Sequence, residues 1–108
     1  MMRIGIAGAG AVGRSVAQEL LDYGHKVLLI EHDARHYEPH TVPAAEWLLA
    51  DACEISALEE SGLQMCDVMI AATGDDKVNL AASLLADHLG TVALAVILIE
   101  GGLTTRFS

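Results

Sequence analysis

Aromatic side chains and positive charges are both scarce in this chain. One Trp, two Tyr and one Phe occur among 108 residues, so the core must be built from Ala, Val, Leu and Ile, which suits helices packed closely on a sheet. The chain contains six Lys and Arg residues and 15 Asp and Glu residues, which gives a formal net charge of −9. Such a domain repels nucleic-acid phosphates, so we expect no nucleic acid among its partners. An anionic ligand must instead be held by backbone dipoles or by single arginines.

Cysteines and long hydrophobic runs are also few. Cys53 and Cys66 match no metal-binding or redox spacing, and the first residues lack the pattern of a signal peptide, which favours reduced thiols in the cytosol. The longest apolar run after Gly90, Val92 to Ile99, is much shorter than the roughly 20 residues that span a bilayer. We therefore expect no direct membrane insertion, and we attribute the positive mean hydropathy to buried parallel strands.

Apolar runs alternate with helical patterns along the chain. The first helical pattern has an apolar stripe of Val12, Val16 and Leu20. In the last one Leu80 and Leu84 form the stripe, with Leu85 alongside. Strands are predicted at 3–7, 26–30, 47–50, 68–72 and 91–99, and helices at 11–23, 54–61 and from Asp75 or Asp76, as the capping residue, to about 89.

This alternation is typical of an α/β fold of the Rossmann type, a three-layer, doubly wound parallel sheet with strand order 3-2-1-4-5. Its ligand crevice lies at the carboxyl ends of strands 1 and 4, where the strand order reverses. Residues 1–100 are expected to form this domain, and residues 101–108 an unstructured tail. The polar segment between strands 2 and 3 carries Pro39 and Pro43, so at most one short helix is expected there, before Pro39.

A glycine-rich loop joins the first strand to the first helix. It reads Gly8-Ala9-Gly10-Ala11-Val12-Gly13, and the strand before it and the helix after it are the context in which this pattern indicates a dinucleotide site. Gly8 permits the tight turn, Gly10 lets a diphosphate approach the backbone, and Gly13 lets the helix pack on the strand. The free N–H groups at the helix start then bind the phosphates. Arg14 either reaches a phosphate or is an exposed helix residue.

An acidic residue, Glu31, follows the second strand. In this architecture a carboxylate there accepts hydrogen bonds from the adenosine ribose, whereas a 2′-phosphate meets a like charge. The expected ligand is therefore NAD(H), ATP or ADP and not NADP. NAD(H) and ATP/ADP stay equally open, since both carry the adenosine diphosphate that these residues contact. Arg35 either covers the nucleoside or lies on the surface.

Three histidines recur every four residues in the polar segment after the second strand. On a continuous helix His32, His36 and His40 would share one face and allow metal binding. Because Pro39 interrupts such a helix, we predict a polar surface loop and no metal site.

The segment after the fourth strand carries the most specific motif. It reads Ala71-Ala72-Thr73-Gly74-Asp75-Asp76-Lys77-Val78-Asn79-Leu80. Together with the glycine loop, Glu31 and Asp51-Ala52-Cys53, it resembles the TrkA-N or RCK domains, which are cytosolic regulatory domains of potassium uptake systems and potassium channels. The resemblance covers residues 1 to about 86.

The resemblance implies a role for each part of the motif. Gly8 to Val12 are expected to bind the diphosphate of a dinucleotide or of ATP/ADP, and Glu31 the ribose. Asp51, Ala52 and Cys53 are expected beside the adenine. Thr73 and Gly74 are expected on the other side of the crevice.

The resemblance also implies partners and a location. A homo-oligomer of such domains is expected in the cytoplasm at the inner face of the membrane, where it gates a membrane potassium-translocating subunit. The family usually carries arginines in and after strand 5 and further elements that build the dimer. Residues 91–100 contain no basic residue, and Arg106 is the only Lys or Arg after Lys77. This departure indicates a truncated or altered C-terminal part.

Three functions are compatible with these features. The first is a regulatory nucleotide-binding module that is not an enzyme, and the motif of the fourth strand favours it. The alternative is the cofactor-binding half of an NAD-dependent oxidoreductase, which needs a substrate domain and a proton-handling residue near the nicotinamide. The third is an inert remnant that folds without regulating anything.

Overall fold

Parallel strands and two longer helices make up most of the described chain. The computed structural model describes residues 1–53, 56, 66–99 and 102–107, with residues 94–99 and 102–107 described by their backbone alone. Two 3-10 turns, Ala34–His36 and Pro39–Thr41, lie between the second and third strands. The strands are β1 (Arg3–Ala7), β2 (Lys26–Glu31), β3 (Glu46–Leu49), β4 (Val68–Ala71), β5 (Val92–Ile99) and β6 (Gly102–Phe107), and the helices are α1 (Ala11–Asp22) and α2 (Asp76–His88).

The strands form one sheet in the order β3-β2-β1-β4-β5-β6. The first five run parallel in the order 3-2-1-4-5, which confirms the predicted Rossmann-type topology. The helix predicted at 54–61 lies outside the described residues, apart from Ser56, which is helical. Among the helices that the structure describes, none has the length and apolar character needed to cross a membrane.

Each face of the sheet carries its own hydrophobic cluster, because successive strand residues point to opposite faces. Ile4 and Ile6 pack with Ala17 of α1 on one face, where the predicted stripe of α1 is confirmed. Ala7 and its neighbours on β4 and β5 pack with Ala82 of α2 on the other. Alanines line much of both contacts, so the helices approach the sheet closely and place their N-terminal ends beside the strand ends.

The buried face of α2 differs from the prediction. Leu80 and Leu84, expected to form its apolar stripe, are 40% and 62% exposed. The face that meets the sheet is formed mainly by small and polar residues, which allow a close contact. Leu85, expected alongside the stripe, is partly buried and packs against the same core. The spacing of the large apolar residues predicts the wrong buried face for α2, because alanine is only weakly hydrophobic and the alanines carry little weight in such a pattern. The buried residues of α2 are Asn79, Ala82, Ser83 and Ala86.

The C-terminal segment is also more ordered than predicted. Residues 102–107 form β6, which pairs antiparallel with β5, so the expectation of an unstructured tail is wrong. The register of this pairing runs from Leu94 opposite Phe107 to Ile99 opposite Gly102. Thr104 and Thr105 are β-branched and favour the extended conformation. An antiparallel edge strand therefore completes the sheet beyond β5.

The segment between β2 and β3 contains one more turn than expected. Ala34–His36 forms the predicted short helix before Pro39, as a single 3-10 turn. Pro39 begins a second turn instead of ending the helical structure, because its fixed φ angle suits the first position of a helical turn. The three histidines therefore do not share one continuous helix. Trp47 ties this segment to the sheet, since its Nε1 donates to the Val42 carbonyl at 3.1 Å.

Candidate functional site

A cavity of about 430 Å³ lies at the carboxyl ends of β1 and β4, where the strand order reverses. Most of the predicted site residues line it, and we call it the crevice below. Ala9, Gly13, Asp51, Ala52 and Cys53 are not among the lining residues. The predicted residues that do line the crevice are Gly8, Gly10, Ala11, Val12, Glu31, Thr73 and Gly74.

Six lining residues were not predicted as site residues. Three of them, His32, Ala72 and Asp75, are next to a predicted residue in the chain, so the strand ends could have pointed to them. His36 is different, because only the 3-10 turn after β2 brings it to the crevice, and the sequence carries no signal for that. The six are His32, Asp33, His36, Ala72, Asp75 and Val78.

A second cavity, of about 270 Å³, lies at the opposite edge of the sheet. Arg3, His25 and Lys26 are among its lining residues, and none of the predicted site residues is. The carboxyl-edge crevice is the better candidate, because ligands of open α/β sheets bind at the carboxyl ends of the strands.

Two glycines of the loop are required by the fold itself. Gly8 has φ of +111°, and a Cβ at that position would lie 2.7 Å from the carbonyl oxygen of Ala72. A Cβ on Gly13 would overlap the carbonyl group of Gly8. The close packing of the loop on the backbone after β4, and of α1 on the loop, therefore accounts for both glycines without a ligand.

Gly10 is different, because nothing in the fold requires a glycine there. Its φ is −75°, and a Cβ would have no heavy atom within 4 Å. Gly10 is the N-cap residue of α1 and provides no side-chain hydrogen bond to the helix start. A serine or aspartate at an N-cap is favoured over glycine by only a few tenths of a kcal/mol, so glycine forgoes a small gain here. What glycine preserves is space beside the helix start, which is what a ligand held there needs.

The two helices differ in how their first N–H groups are satisfied. In α2 the Asp75 carboxylate accepts from the N–H groups of Lys77 and Val78, at 2.9 and 3.3 Å. In α1, within the described part of the chain, the N–H groups of Ala11 and Val12 have no protein acceptor. These N–H groups and the positive end of the helix dipole face the crevice and are suited to bind an anion.

Arg14 lies beside the same loop without lining the crevice. Its Nε donates to the Gly10 carbonyl at 3.4 Å, and the side chain is partly buried. The guanidinium therefore adds positive charge close to the start of α1. Among the described residues none forms an ion pair with Arg14, whereas Arg35 is paired with Asp33.

Glu31 is held in one orientation at the crevice. Its side chain is buried, Oε1 accepts from the Ala9 N–H at 2.8 Å, and Oε2 accepts from the Asp33 N–H at 2.9 Å. The Nδ1 atom of His32 lies 3.4 Å from Oε2. Because the Ala9 N–H already donates to Glu31, it is not available to an anion. The N–H groups of Ala11 and Val12 at the start of α1 are available. The carboxylate also links the end of β2 to the glycine loop.

Arg35 is a surface residue paired with Asp33. Its Nη2 lies 2.8 Å from Asp33 Oδ2, and the Arg35 side chain is exposed. Hydrogen bonds from Arg35 hold the pKa of the Asp33 carboxyl well below its usual range. Asp33 is therefore ionised at physiological pH, and the guanidinium of Arg35 offsets its negative charge.

Cys53 lies behind one wall of the crevice. Asp51 Oδ1 accepts from the Cys53 N–H at 2.8 Å, and the Cys53 Sγ lies 3.8 Å from the carbonyl oxygen of Val78, which lines the crevice. Burial raises the pKa of the Cys53 thiol, and the nearby Asp51 and Asp75 carboxylates raise it further. The thiol is therefore protonated at neutral pH and serves as a packing group.

We expect both thiols to react slowly with iodoacetamide, because the thiolate is the reactive species and burial raises the pKa of Cys53 and of Cys66. At pH 7.5 each should be modified more slowly than in the urea-unfolded chain, since a raised pKa lowers the fraction of thiol present as thiolate. The rates should rise as the pH increases. Mass spectrometry of timed digests measures both sites, and equal rates in the folded and unfolded chains would contradict the burial of the thiols.

The loop after β4 forms the wall opposite Glu31. Thr73 and Gly74 follow the end of the strand, and the Asn79 side chain reaches back from α2 to hold Thr73. A Cβ on Gly74 would have no heavy atom within 4 Å, so Gly74, like Gly10, lies next to open space. Of the two capping residues predicted from the sequence, Asp75 is the N-cap of α2, and Asp76 is the first residue of the helix.

A five-stranded parallel order with a glycine loop between β1 and α1 defines a Rossmann-type domain. A profile of the TrkA-N domain matches residues 4–100, and the chain belongs to this family. The Trk system potassium uptake protein TrkA of Mycobacterium tuberculosis is 54% identical over 85 residues, which cover 79% of this chain and 39% of that protein. The chain thus spans about two fifths of this relative.

Solved structures share the fold at lower identity. The NAD(P)-binding domain of an exopolyphosphatase-related protein from Archaeoglobus fulgidus aligns with a TM-score of 0.73 at 20% identity, covering 86% of this chain and 71% of that one. The AMP-bound Kef CTD of Shewanella denitrificans aligns with a TM-score of 0.67 at 21% identity, covering 80% of this chain and 52% of that one. These similarities confirm the Rossmann-type architecture.

Proposed function

We propose that this domain is a regulatory nucleotide-binding module of a Trk-type potassium uptake system and not an enzyme. It binds NAD(H) or ATP/ADP in the crevice at the ends of β1 and β4. The observation that carries the proposal is Gly10, which leaves space beside the uncapped N–H groups of α1 although the fold has no need of a glycine there. The names of its relatives support a role in potassium transport.

The crevice residues divide the ligand between them. The diphosphate lies against the first N–H groups of α1, which supply hydrogen bonds and the positive end of the helix dipole. The ribose hydroxyls donate to Glu31, and Thr73 and Gly74 face the part of the ligand beyond the diphosphate. When two conformations of the domain differ in their affinity for the nucleotide, binding shifts the population toward the conformation that binds it more tightly.

The partner is a membrane potassium-translocating subunit, and several copies of the domain act on it together. Such a module lies in the cytoplasm at the inner face of the membrane. Nucleotide binding regulates the transporter only as far as the two conformations of the domain differ in their affinity for nucleotide.

Thermal unfolding with single nucleotides tests this function. NADH, ADP or ATP at about 100 times its dissociation constant should stabilise the domain by roughly 2.7 kcal/mol, which corresponds to a rise of several degrees in Tm. Mass spectrometry of nucleotide that co-purifies with the protein identifies the natural ligand. Co-purification with a membrane potassium-translocating subunit tests the regulatory role. The proposal fails if no nucleotide changes Tm.

NADP is expected to leave Tm unchanged at concentrations at which NAD produces the full shift. The 2′-phosphate would approach the buried Glu31 carboxylate, which would repel it. Isothermal titration calorimetry with NAD and NADP under the same conditions measures the difference. Equal affinity for the two dinucleotides would show that Glu31 does not contact the ribose.

A further inference from the structure

Asn79 is a polar residue in a place where a helix usually packs apolar side chains on a sheet. It lies on the buried face of α2, three positions before Ala82, and its side chain is 0% exposed. The nucleotide contacts proposed above do not use it. Its contacts point instead to the loop that carries Thr73 and Gly74.

The Asn79 side chain binds both backbone polar groups of one residue, Thr73. Its Oδ1 accepts from the Thr73 N–H at 2.8 Å, and its Nδ2 donates to the Thr73 carbonyl at 3.1 Å. The Thr73 hydroxyl lies 2.6 Å from the same Oδ1, to which it donates, and it accepts from the Asp75 N–H at 3.2 Å. The Asn79 amide thus bonds the backbone of Thr73 in the way that a neighbouring strand would. The hydrogen-bonded backbone therefore continues past the Ala72 N–H, which donates to the Ala7 carbonyl, to Thr73.

The loop held in this way lies directly beside the diphosphate loop. A Cβ on Gly8 would come within 2.8 Å of the Thr73 nitrogen, so the two loops are in contact. Glu31, which is proposed to bind the ribose, lies on the β2 side of the glycine loop, and Thr73 lies on the β4 side. A ligand that enters with its adenosine toward β2 therefore brings whatever follows its diphosphate against Thr73 and Gly74.

We propose that Asn79 is a positioning residue that fixes Thr73 and Gly74 against the group attached to the β-phosphate, and thereby makes the crevice prefer nucleotides longer than ADP. The inference rests on the proposed nucleotide binding. The γ-phosphate of ATP and the second nucleoside of NADH are both groups of this kind. The loop can contact either only while its backbone is held, because a free loop loses entropy when it orders on the ligand.

The test compares the dissociation constants of ADP, ATP and NADH for three variants. Asn79→Ala removes all of the side-chain bonds to Thr73, and Thr73→Val removes only the hydroxyl. Ser83→Ala is the matched control, since Ser83 is also fully buried on α2, one turn further from the crevice, and its Oγ donates to the Leu80 carbonyl at 3.0 Å.

For Asn79→Ala we expect the affinity for the longer ligands, ATP or NADH or both, to fall about tenfold and the affinity for ADP to change less than twofold. A loss for ATP alone identifies the γ-phosphate as the group contacted, and a loss for NADH alone identifies the second nucleoside. Thr73→Val should show a smaller loss of the same kind, and Ser83→Ala should leave all three affinities unchanged.

Two results would overturn the inference while leaving the proposed function intact. One is an equal loss for ADP and the longer ligands in Asn79→Ala, which a general structural defect would produce. The other is an unchanged ratio of affinities in both Asn79→Ala and Thr73→Val. If Asn79→Ala does not fold, Thr73→Val decides by itself. If the wild-type domain binds none of the three nucleotides, the proposed function fails and this inference fails with it.

Discussion

Gly10→Val is expected to abolish nucleotide binding and to leave the domain folded. Valine accepts the extended backbone at this position, where φ is −75° and ψ is −165°, and its Cβ meets no protein atom within 4 Å. The side chain instead occupies the space beside the N–H groups of Ala11 and Val12, where the diphosphate is proposed to lie. We expect the dissociation constant for ADP or NADH to rise more than about a hundredfold, since a displaced phosphate loses several charge-assisted hydrogen bonds.

Isothermal titration calorimetry measures the loss, and circular dichroism shows whether the fold is kept. Gly10→Ser is an informative companion, because a serine N-cap accepts from the same helix N–H groups that a phosphate needs. That variant should be more stable without nucleotide by a few tenths of a kcal/mol and should bind nucleotide more weakly. Wild-type affinity in Gly10→Val would show that the diphosphate does not lie at the start of α1.

Gly13→Ala is expected to destabilise the domain severely, although it lies only three positions away. Alanine is favoured over glycine inside a helix by about 1 kcal/mol, so helix propensity alone predicts a gain in stability. The added Cβ would overlap the carbonyl group of Gly8 and force α1 away from β1. Overpacking of this kind costs about 1–3 kcal/mol or more, which exceeds the gain from propensity. Because the overlap is with backbone atoms, we expect a cost near the upper end of this range and a net loss of about 2 kcal/mol in the free energy of unfolding.

Urea denaturation followed by circular dichroism measures this loss. Ser15→Ala is the matched control, because Ser15 lies in the same helix on an exposed face, where alanine should raise stability by a few tenths of a kcal/mol. A rise in the stability of Gly13→Ala would mean that α1 does not approach β1 as closely as the structure shows.

The contrast between these two glycines separates folding from ligand binding inside one motif. Gly8 is needed because the backbone of Ala72, which follows β4, comes close to it, and Gly13 is needed because the carbonyl group of Gly8 does. Gly10 is needed, on the proposal made above, because a ligand comes close to it. The spacing of the glycines in the sequence is the same for both purposes, so only their surroundings distinguish them.

The order of the five parallel strands could be predicted from the amino-acid sequence. Short apolar runs that alternate with helical patterns leave few topologies, because crossovers between parallel strands are right-handed. The glycine loop and Glu31 could be placed at the crevice for a related reason, since each follows a strand directly and the carboxyl ends of parallel strands share one edge. These features depend on local patterns and on general rules of chain connection.

Other features depend on distances between elements, and only the folded chain settles them. The buried face of α2 is set by how close the helix lies to the sheet, which admits Ala82 and excludes Leu84. The pairing of β6 with β5, the bond from the Ala9 N–H to Glu31 and the reach of Asn79 to Thr73 all join atoms from separate elements. A pattern of single residues carries no information on such distances, because each arises only when the elements have packed together.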